Sequence, residues 1–325
     1  MNMAHEPIAN PLRADGTLRH LLTLEGLPRT LIERLLERAA HYARPAGAVA
    51  ARGSALEGLT VATLFTEPST RTRVSFELAA RRLGADVASV EVQLSSRLKG
   101  ESMLDTVATL ESLHVDVFVL RDPEPEVPDL VALHVGPGVS VLSGGAGRYA
   151  HPTQGLLDVL TILQHKPRLD ALSVAIVGDV RHSRVARSAW HALAALGTRD
   201  IRIVAPPGLM PDEGEFAGCA RAWSLAEGIA GCDVVMMLRI QKERMSEASI
   251  PGAPEYFAEW GLDQARLKHA KPDAIVMHPQ PMNRGVEIAS DVADGPQSVI
   301  RDQVRNGVAV RMAVLETVIA GRKDR

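Results

Sequence analysis

The residues best suited to chemistry in this 325-residue chain stand in six short runs, each directly after an apolar, β-rich stretch. TEPSTRTR follows TVATLF, Arg121 follows VDVFVL, SGGAGRYAHPTQ follows VSVL, GDVRHSR follows LSVAIV, RIQKER follows DVVMML, and HPQP follows AIVM. Arginine or histidine occurs in all six. In Pro68–Arg73, Ser69, Thr70 and Thr72 supply hydroxyl donors and Arg71 a planar fork, at a helix start whose free N–H groups also favour an anion. That set suits a phosphate. In His151-Pro152-Thr153-Gln154 the proline fits a first helical position, so that His151 can donate to an oxygen that gains charge, with Gln154 as an acceptor one turn further in. Arg184, and the pair Arg239 and Gln241, follow later strands, where two converging arginine forks would suit a ligand with two carboxylates. Ser95 and Ser96 lead to Lys99 beside Gly100, a cation on what reads as a loop tip, as a closing lid needs. Each feature alone has a plainer reading: a capped helix with solvated arginines, a structural histidine, charged strand ends, exposed ion pairs.

The elements that must position these residues alternate strand and helix. TVATLF (from Thr60), VASVEV (from Val87), VDVFVL (from Val115) and VSVL (from Val139) are strand candidates in the first half; LSVAIV (from Leu172), IRIVA (from Ile201), DVVMML (from Asp233) and AIVM (from Ala274) are those in the second. Phe76, Ala79, Ala80 and Leu83 follow helical spacing, as do Leu156, Val159, Leu160 and Leu163, and Val185, Ala189, Ala192 and Leu196, the last closed by Gly197. VRNGVAVRMAVLETVIAG reads as a closing helix. Strands this uniformly apolar are those of parallel sheets covered on both faces, so the spacing predicts two parallel sheets in two domains. In such sheets ligands bind beyond the carboxyl ends of the strands, where the six polar runs stand.

Composition narrows the classes. Hydrophobic residues make up 46% and charged ones 23%, with a net charge of −3, so nothing in the overall balance points to nucleic acid. Two cysteines, Cys219 and Cys232, are too few for a disulfide framework or a zinc site and fit a reducing, cytoplasmic setting. No apolar run is long enough for a membrane span, and the N-terminus reads as a loose leader, not a signal peptide. There is no GxxxxGK[ST], and SGGAGR has the wrong glycine spacing for a dinucleotide fingerprint.

Taken in order, PSTRTRVSFE, SSRLKGE, Arg121, HPTQ, GDVRHSRVARS, RIQKER and MHPQPMNRGVEI resemble the catalytic chain of the aspartate carbamoyltransferase family, from about Leu21 to Ile319. STRTR together with HPTQ carries the specificity of the match. The resemblance implies two doubly wound α/β domains of the aspartate/ornithine carbamoyltransferase fold: residues 1–152 with 302–325 for carbamoyl phosphate, and 153–301 for aspartate. It implies carbamoyl transfer from carbamoyl phosphate to the α-amino group of L-aspartate, early in pyrimidine synthesis, with no metal or cofactor. By the same resemblance Ser69, Thr70, Arg71 and Thr72 hold the phosphate with Arg121; Thr72, Arg121 and His151 polarise the carbonyl; Gln154 and the backbone near Pro279 and Gln280 hold the amide. Arg184, Arg239 and Gln241, with Lys99, bind aspartate. A homotrimer is implied, with Ser95, Ser96 and Lys99 reaching a neighbouring subunit, open to further assembly with a regulatory or dihydroorotase-type chain. Gln280 departs from the leucine or small residue that many members carry. The competing expectations are a carbamoyltransferase for another amine such as ornithine, a non-catalytic subunit of the same fold, and a dinucleotide-dependent oxidoreductase resting on fold rhythm alone.

Overall fold

A computed structural model describes residues 9–90, 102–240 and 252–322. Ser95, Ser96, Lys99 and Gln241 lie outside the described residues. The chain forms two compact units, Met1–Leu157 with Arg305–Arg325, and Asp158–Val304.

In the first unit, α1 (Arg29–Tyr42) precedes an alternation of β1 (Thr60–Phe65), α2 (Thr70–Arg82), β2 (Asp86–Val90), α3 (Met103–Ser112), β3 (Val115–Asp122), α4 (Val127–His134) and β4 (Ser140–Ala146). The four strands are all parallel in the order β2-β1-β3-β4. Leu64, Phe118, Leu120 and Val141 from the sheet join Val107, Val131 and Ala132 from the helices in one buried core. On α2, Phe76, Ala79, Ala80 and the following Leu83 are fully buried, as their spacing predicts. Burying side chains of this size contributes about 1.5–3 kcal/mol each for the larger ones.

The glycines of SGGA, placed beyond the strand VSVL in the sequence reading, belong to β4. Their place in the strand has a packing cause: a Cβ on Gly144 would stand 3.2 Å from the Phe65 ring and 3.3 Å from the Leu120 carbonyl oxygen. The strand needs the missing side chain.

The helix α5 (Pro152–His165) starts in the first unit and ends in the second. There follow β5 (Ser173–Val177), α6 (Arg184–Ala195), β6 (Asp200–Val204), β7 (Ala220–Ala222), α7 (Leu225–Ile229), β8 (Val234–Met237), α8 (Ala253–Trp260), α9 (Gln264–Leu267), β9 (Ile275–Met277) and α10 (Ser290–Ala293). This sheet too is parallel throughout, in the order β7-β6-β5-β8-β9. β7 was not among the expected strands, because its sequence, Ala-Arg-Ala at a sheet edge, carries no apolar run. Gly197 takes φ +95 just beyond α6 and closes it as expected. On α6 the buried face is broader than the apolar spacing predicts: it includes Arg184, Arg187 and Ser188, while Val185 is only half-buried. The last helix, α11 (Ile300–Ala320), returns the chain from the second unit to the first. No helix of the described residues is long and apolar enough to cross a membrane.

Both strand orders contain a switch point, where the chain leaves one strand to its left and the next to its right. In the first unit it lies between β1 and β3, and in the second between β5 and β8. Open parallel sheets bind ligands there, at the carboxyl edge.

Candidate active site

In the first unit the switch point gathers the polar runs after β1, β3 and β4. The Thr66 amide donates to the Arg121 carbonyl at 2.9 Å, continuing the β1–β3 ladder past the end of the sheet. The Thr66 hydroxyl donates to Asp122 Oδ2 at 2.7 Å, and the Gly147 amide donates to the Asp122 carbonyl at 3.0 Å. Asp122, buried and not singled out from the sequence, thereby ties three loops together. The Arg121 guanidinium lies across the same edge, donating to Gly144 O at 3.1 Å and pairing with Glu67 at 2.8 Å. Glu67, also unremarked in the sequence, partly neutralises this cation and fixes the plane of its fork.

The start of α2 differs from those helix starts of the described residues that carry a side-chain cap. Ser102, Ser183, Ser224 and Asp263 each cap their helices (α3, α6, α7 and α9) through a side-chain oxygen that accepts from a backbone amide. Ser69 occupies the same position before α2, yet its hydroxyl does not bond back to the helix. The plain reading of PSTRTR as a serine-capped helix is thereby removed. A helix start without a side-chain cap is a place where an anion can meet first-turn amides, and Ser69 and Thr70 stand there with their hydroxyls. Thr72 points inward at 7% exposure, Arg71 is exposed, and Arg73 is half-buried with its amide bonded to Ser69 O at 3.1 Å.

His151 stands immediately before α5, and its carbonyl accepts from the Gln154 and Gly155 amides at 2.9 and 3.2 Å. Pro152 opens the helix with no amide to satisfy, as expected. The preceding loop folds on itself through a bond from the Ala146 amide to Ala150 O, 2.9 Å. His151 and Gln154 are 5% and 8% exposed, which strengthens any charge interaction made at this edge.

In the second unit the switch point brings together the loops after β5 and β8. The Leu238 amide donates to Val177 O at 2.8 Å, and Gly178, at φ +118, lets the Leu238 carbonyl come within 3.0 Å of where a Cβ would be. Arg184 is the first residue of α6, capped by Ser183, and Arg239 follows Leu238. Two arginines 55 positions apart in the chain therefore belong to the segments that follow neighbouring strands β5 and β8, Arg184 buried at the start of α6 and Arg239 half-buried. The loop before Arg184 is shaped by Asp179, fully buried, which accepts from the His182 amide at 3.2 Å and meets its ring Nδ1 at 2.8 Å.

The turn Pro279–Gln280 sits on a separate buried framework. The Gln280 amide donates to His278 Nδ1 at 2.9 Å, so the ring proton is on Nε2, which donates to Glu287 Oε1 at 3.2 Å. The His278 amide donates to Gln303 Oε1 at 2.9 Å, and Gln303 Nε2 donates to Asp158 Oδ1 on α5 at 2.8 Å. Gln280 has φ +56, a left-handed backbone that turns the chain sharply, and its peptide to Pro281 is cis. Sequence reasoning gave roles to Pro279 and Gln280, noted His278 only as the histidine of the HPQP run, and assigned nothing to Glu287, Gln303 or Asp158, whose partners are 9 to 145 positions away.

Each sheet thus carries cationic residues at the carboxyl edge of its switch point, Arg121 in the first unit and Arg239 in the second. Residues 19–164 match the aspartate/ornithine carbamoyltransferase carbamoyl-P binding domain, and residues 170–318 match the Asp/Orn binding domain of the same family. Among solved structures, aspartate transcarbamoylase from Trypanosoma cruzi in complex with carbamoyl aspartate and phosphate is 32% identical, covering 96% of this chain and 99% of that one, with a TM-score of 0.83. Ornithine carbamoyltransferase from Pyrococcus furiosus is 30% identical over 94% of this chain and 98% of its own, TM-score 0.82. Ornithine carbamoyltransferase from Thermus thermophilus is 26% identical over 93% and 99%, TM-score 0.81. The chain belongs to the aspartate/ornithine carbamoyltransferase family and has its fold.

Proposed function

We propose that this carbamoyltransferase moves the carbamoyl group from carbamoyl phosphate to the α-amino group of L-aspartate, giving N-carbamoyl-L-aspartate and phosphate for pyrimidine synthesis. The observation that carries the acceptor is the pair Arg184, which opens the helix after β5, and Arg239, which follows the neighbouring strand β8. Two guanidinium forks match the two carboxylates of aspartate. Ornithine carries a side-chain ammonium instead, which the same pair would repel; the ornithine enzymes among the relatives keep that acceptor as the competing reading.

In this reading Ser69, Thr70, Arg71 and Thr72 cradle the phosphate at the uncapped start of α2, and Arg121 assists from β3. Thr72, Arg121 and His151 donate to the carbamoyl oxygen, while Gln154 and the backbone of Pro279 and Gln280 hold the amide. Arg184, Arg239 and Gln241 hold aspartate, with Lys99. The amine lone pair attacks the carbonyl carbon, a C–N bond forms, the C–O bond to phosphorus breaks, and the departing phosphate accepts the amine proton. Positioning two anions and stabilising the oxyanion account for the rate, so the scheme calls for neither a covalent intermediate nor a metal. A cytoplasmic homotrimer in which Ser95, Ser96 and Lys99 serve a neighbouring subunit completes the proposal.

N-(phosphonacetyl)-L-aspartic acid, present in one of the T. cruzi aspartate transcarbamoylase structures, joins both substrate ends in one molecule. It should raise the melting temperature of this protein well beyond phosphate and aspartate added together, because one molecule gains both sets of contacts. A rise no larger than that given by phosphonoacetate alone would count against an aspartate site.

A further inference from the structure

The last helix buries a guanidinium that the scheme above leaves unused. Arg311 lies in the part of α11 that belongs to the first unit, 4% exposed, with its Cζ 5.0 Å from the centre of the Phe76 ring on α2. Other well-covered arginines of that unit have counter-charges: Arg322 pairs with Asp116 at 2.7 Å, and Arg121 with Glu67 at 2.8 Å. Among the described residues Arg311 pairs with no carboxylate, and its Nε meets no acceptor. Burial draws its pKa down to about 10, so it keeps its proton at neutral pH. Gly307, one turn earlier on α11, makes the space: a Cβ there would stand 2.6 Å from Nη1 of Arg311.

The position of this cation follows from α2. Phe76 and Thr72 are four residues apart on one buried face, and helical side chains lean toward the N-terminus, so the Phe76 ring lies over the turn that opens the helix. The guanidinium over that ring therefore lies against the buried face that Phe76 shares with Thr72. A buried cation without a counter-charge costs the fold stability unless an anion arrives to offset it.

We infer that Arg311 is the inner counter-charge for the anion held at the start of α2, a positioning residue that strengthens carbamoyl phosphate binding from behind Phe76 and Thr72. The inference rests on the reading of PSTRTR as the phosphate cradle. It has a signature that a structural arginine lacks: removing the charge should help, or at least not harm, the empty protein, and should harm the liganded one.

The test uses the full chain with Arg311→Met, which keeps an unbranched apolar stem, and Arg311→Lys, which keeps the charge. Melting temperatures are read without ligand, with inorganic phosphate and with carbamoyl phosphate. Arg311→Met should melt no lower than wild type when empty, lose more than half of the phosphate-induced rise, and show a KM for carbamoyl phosphate raised about tenfold with the KM for the acceptor amine little changed. Arg311→Lys should keep most of the rise. Gly307→Ala, which crowds the guanidinium without removing it, should also weaken the response to phosphate. An empty Arg311→Met protein that melts well below wild type, or one whose phosphate response is intact, would overturn the inference. Wild type that responds to neither phosphate nor carbamoyl phosphate would instead overturn the cradle reading, and the inference with it.

Discussion

His151→Ala is expected to lower turnover by about 10²–10³-fold while the affinity for carbamoyl phosphate stays within about threefold. The asymmetry has a structural basis. The part of His151 that opens α5 is its carbonyl, which accepts from the Gln154 and Gly155 amides and survives the substitution. Only the imidazole is lost, from a site 5% exposed, where a donor aimed at a developing oxyanion gains most from the low local dielectric. In the proposed scheme the carbamoyl oxygen carries little charge in the ground state, and binding is carried mainly by the phosphate contacts assigned to α2. In the transition state the oxygen becomes nearly anionic, and the missing donor is felt. Steady-state kinetics with a direct binding measurement on the same variant separate the two effects. Equal losses in turnover and affinity would mean that His151 acts as a binding or structural group.

Arg184→Gln should cost about 10²–10⁴-fold in kcat/KM for aspartate and leave carbamoyl phosphate binding unchanged. Arg184 is buried at the first position of α6, so a neutral side chain there leaves an incoming carboxylate desolvated without its charge partner. The Ser183 cap of the helix, whose hydroxyl accepts from the Ala186 amide at 3.1 Å, is left in place by the substitution. Arg184→Lys should recover only part of the loss, because an ammonium cannot make the two parallel bonds of the guanidinium fork. The check is a pair of saturation curves, one for each substrate. A fall in carbamoyl phosphate affinity that matches the fall for aspartate would remove Arg184 from the acceptor site.

Legibility in the sequence followed the range of the interactions involved. The helix faces through Phe76–Leu83 and around Ala189 could be read because burial on one side of a helix repeats every three to four residues. Apolar strands could be read for the same local reason, and the six polar runs fell at strand ends because a parallel sheet leaves that edge open. β7 and the glycine half of β4 escaped, one because its residues carry no apolar pattern, the other because Gly144 answers to Phe65, nearly eighty positions away in the chain. In the site, residues that would meet ligand were visible by type, whereas those that hold them were not. Glu67 gains meaning only beside Arg121, Asp122 beside Thr66, and Gln303 between His278 and Asp158. None of these pairs is local enough to leave a pattern. The uncapped state of Ser69 could not be foreseen either, since a serine before a helix is the commonest of caps.

In a family whose members serve aspartate or ornithine, this chain is proposed to accept aspartate. Purified protein given carbamoyl phosphate should release phosphate in an aspartate-dependent, saturable manner with a stoichiometric yield of N-carbamoyl-L-aspartate, and should give only background with ornithine or putrescine in parallel reactions. Ornithine-dependent release, with none dependent on aspartate, would contradict the account.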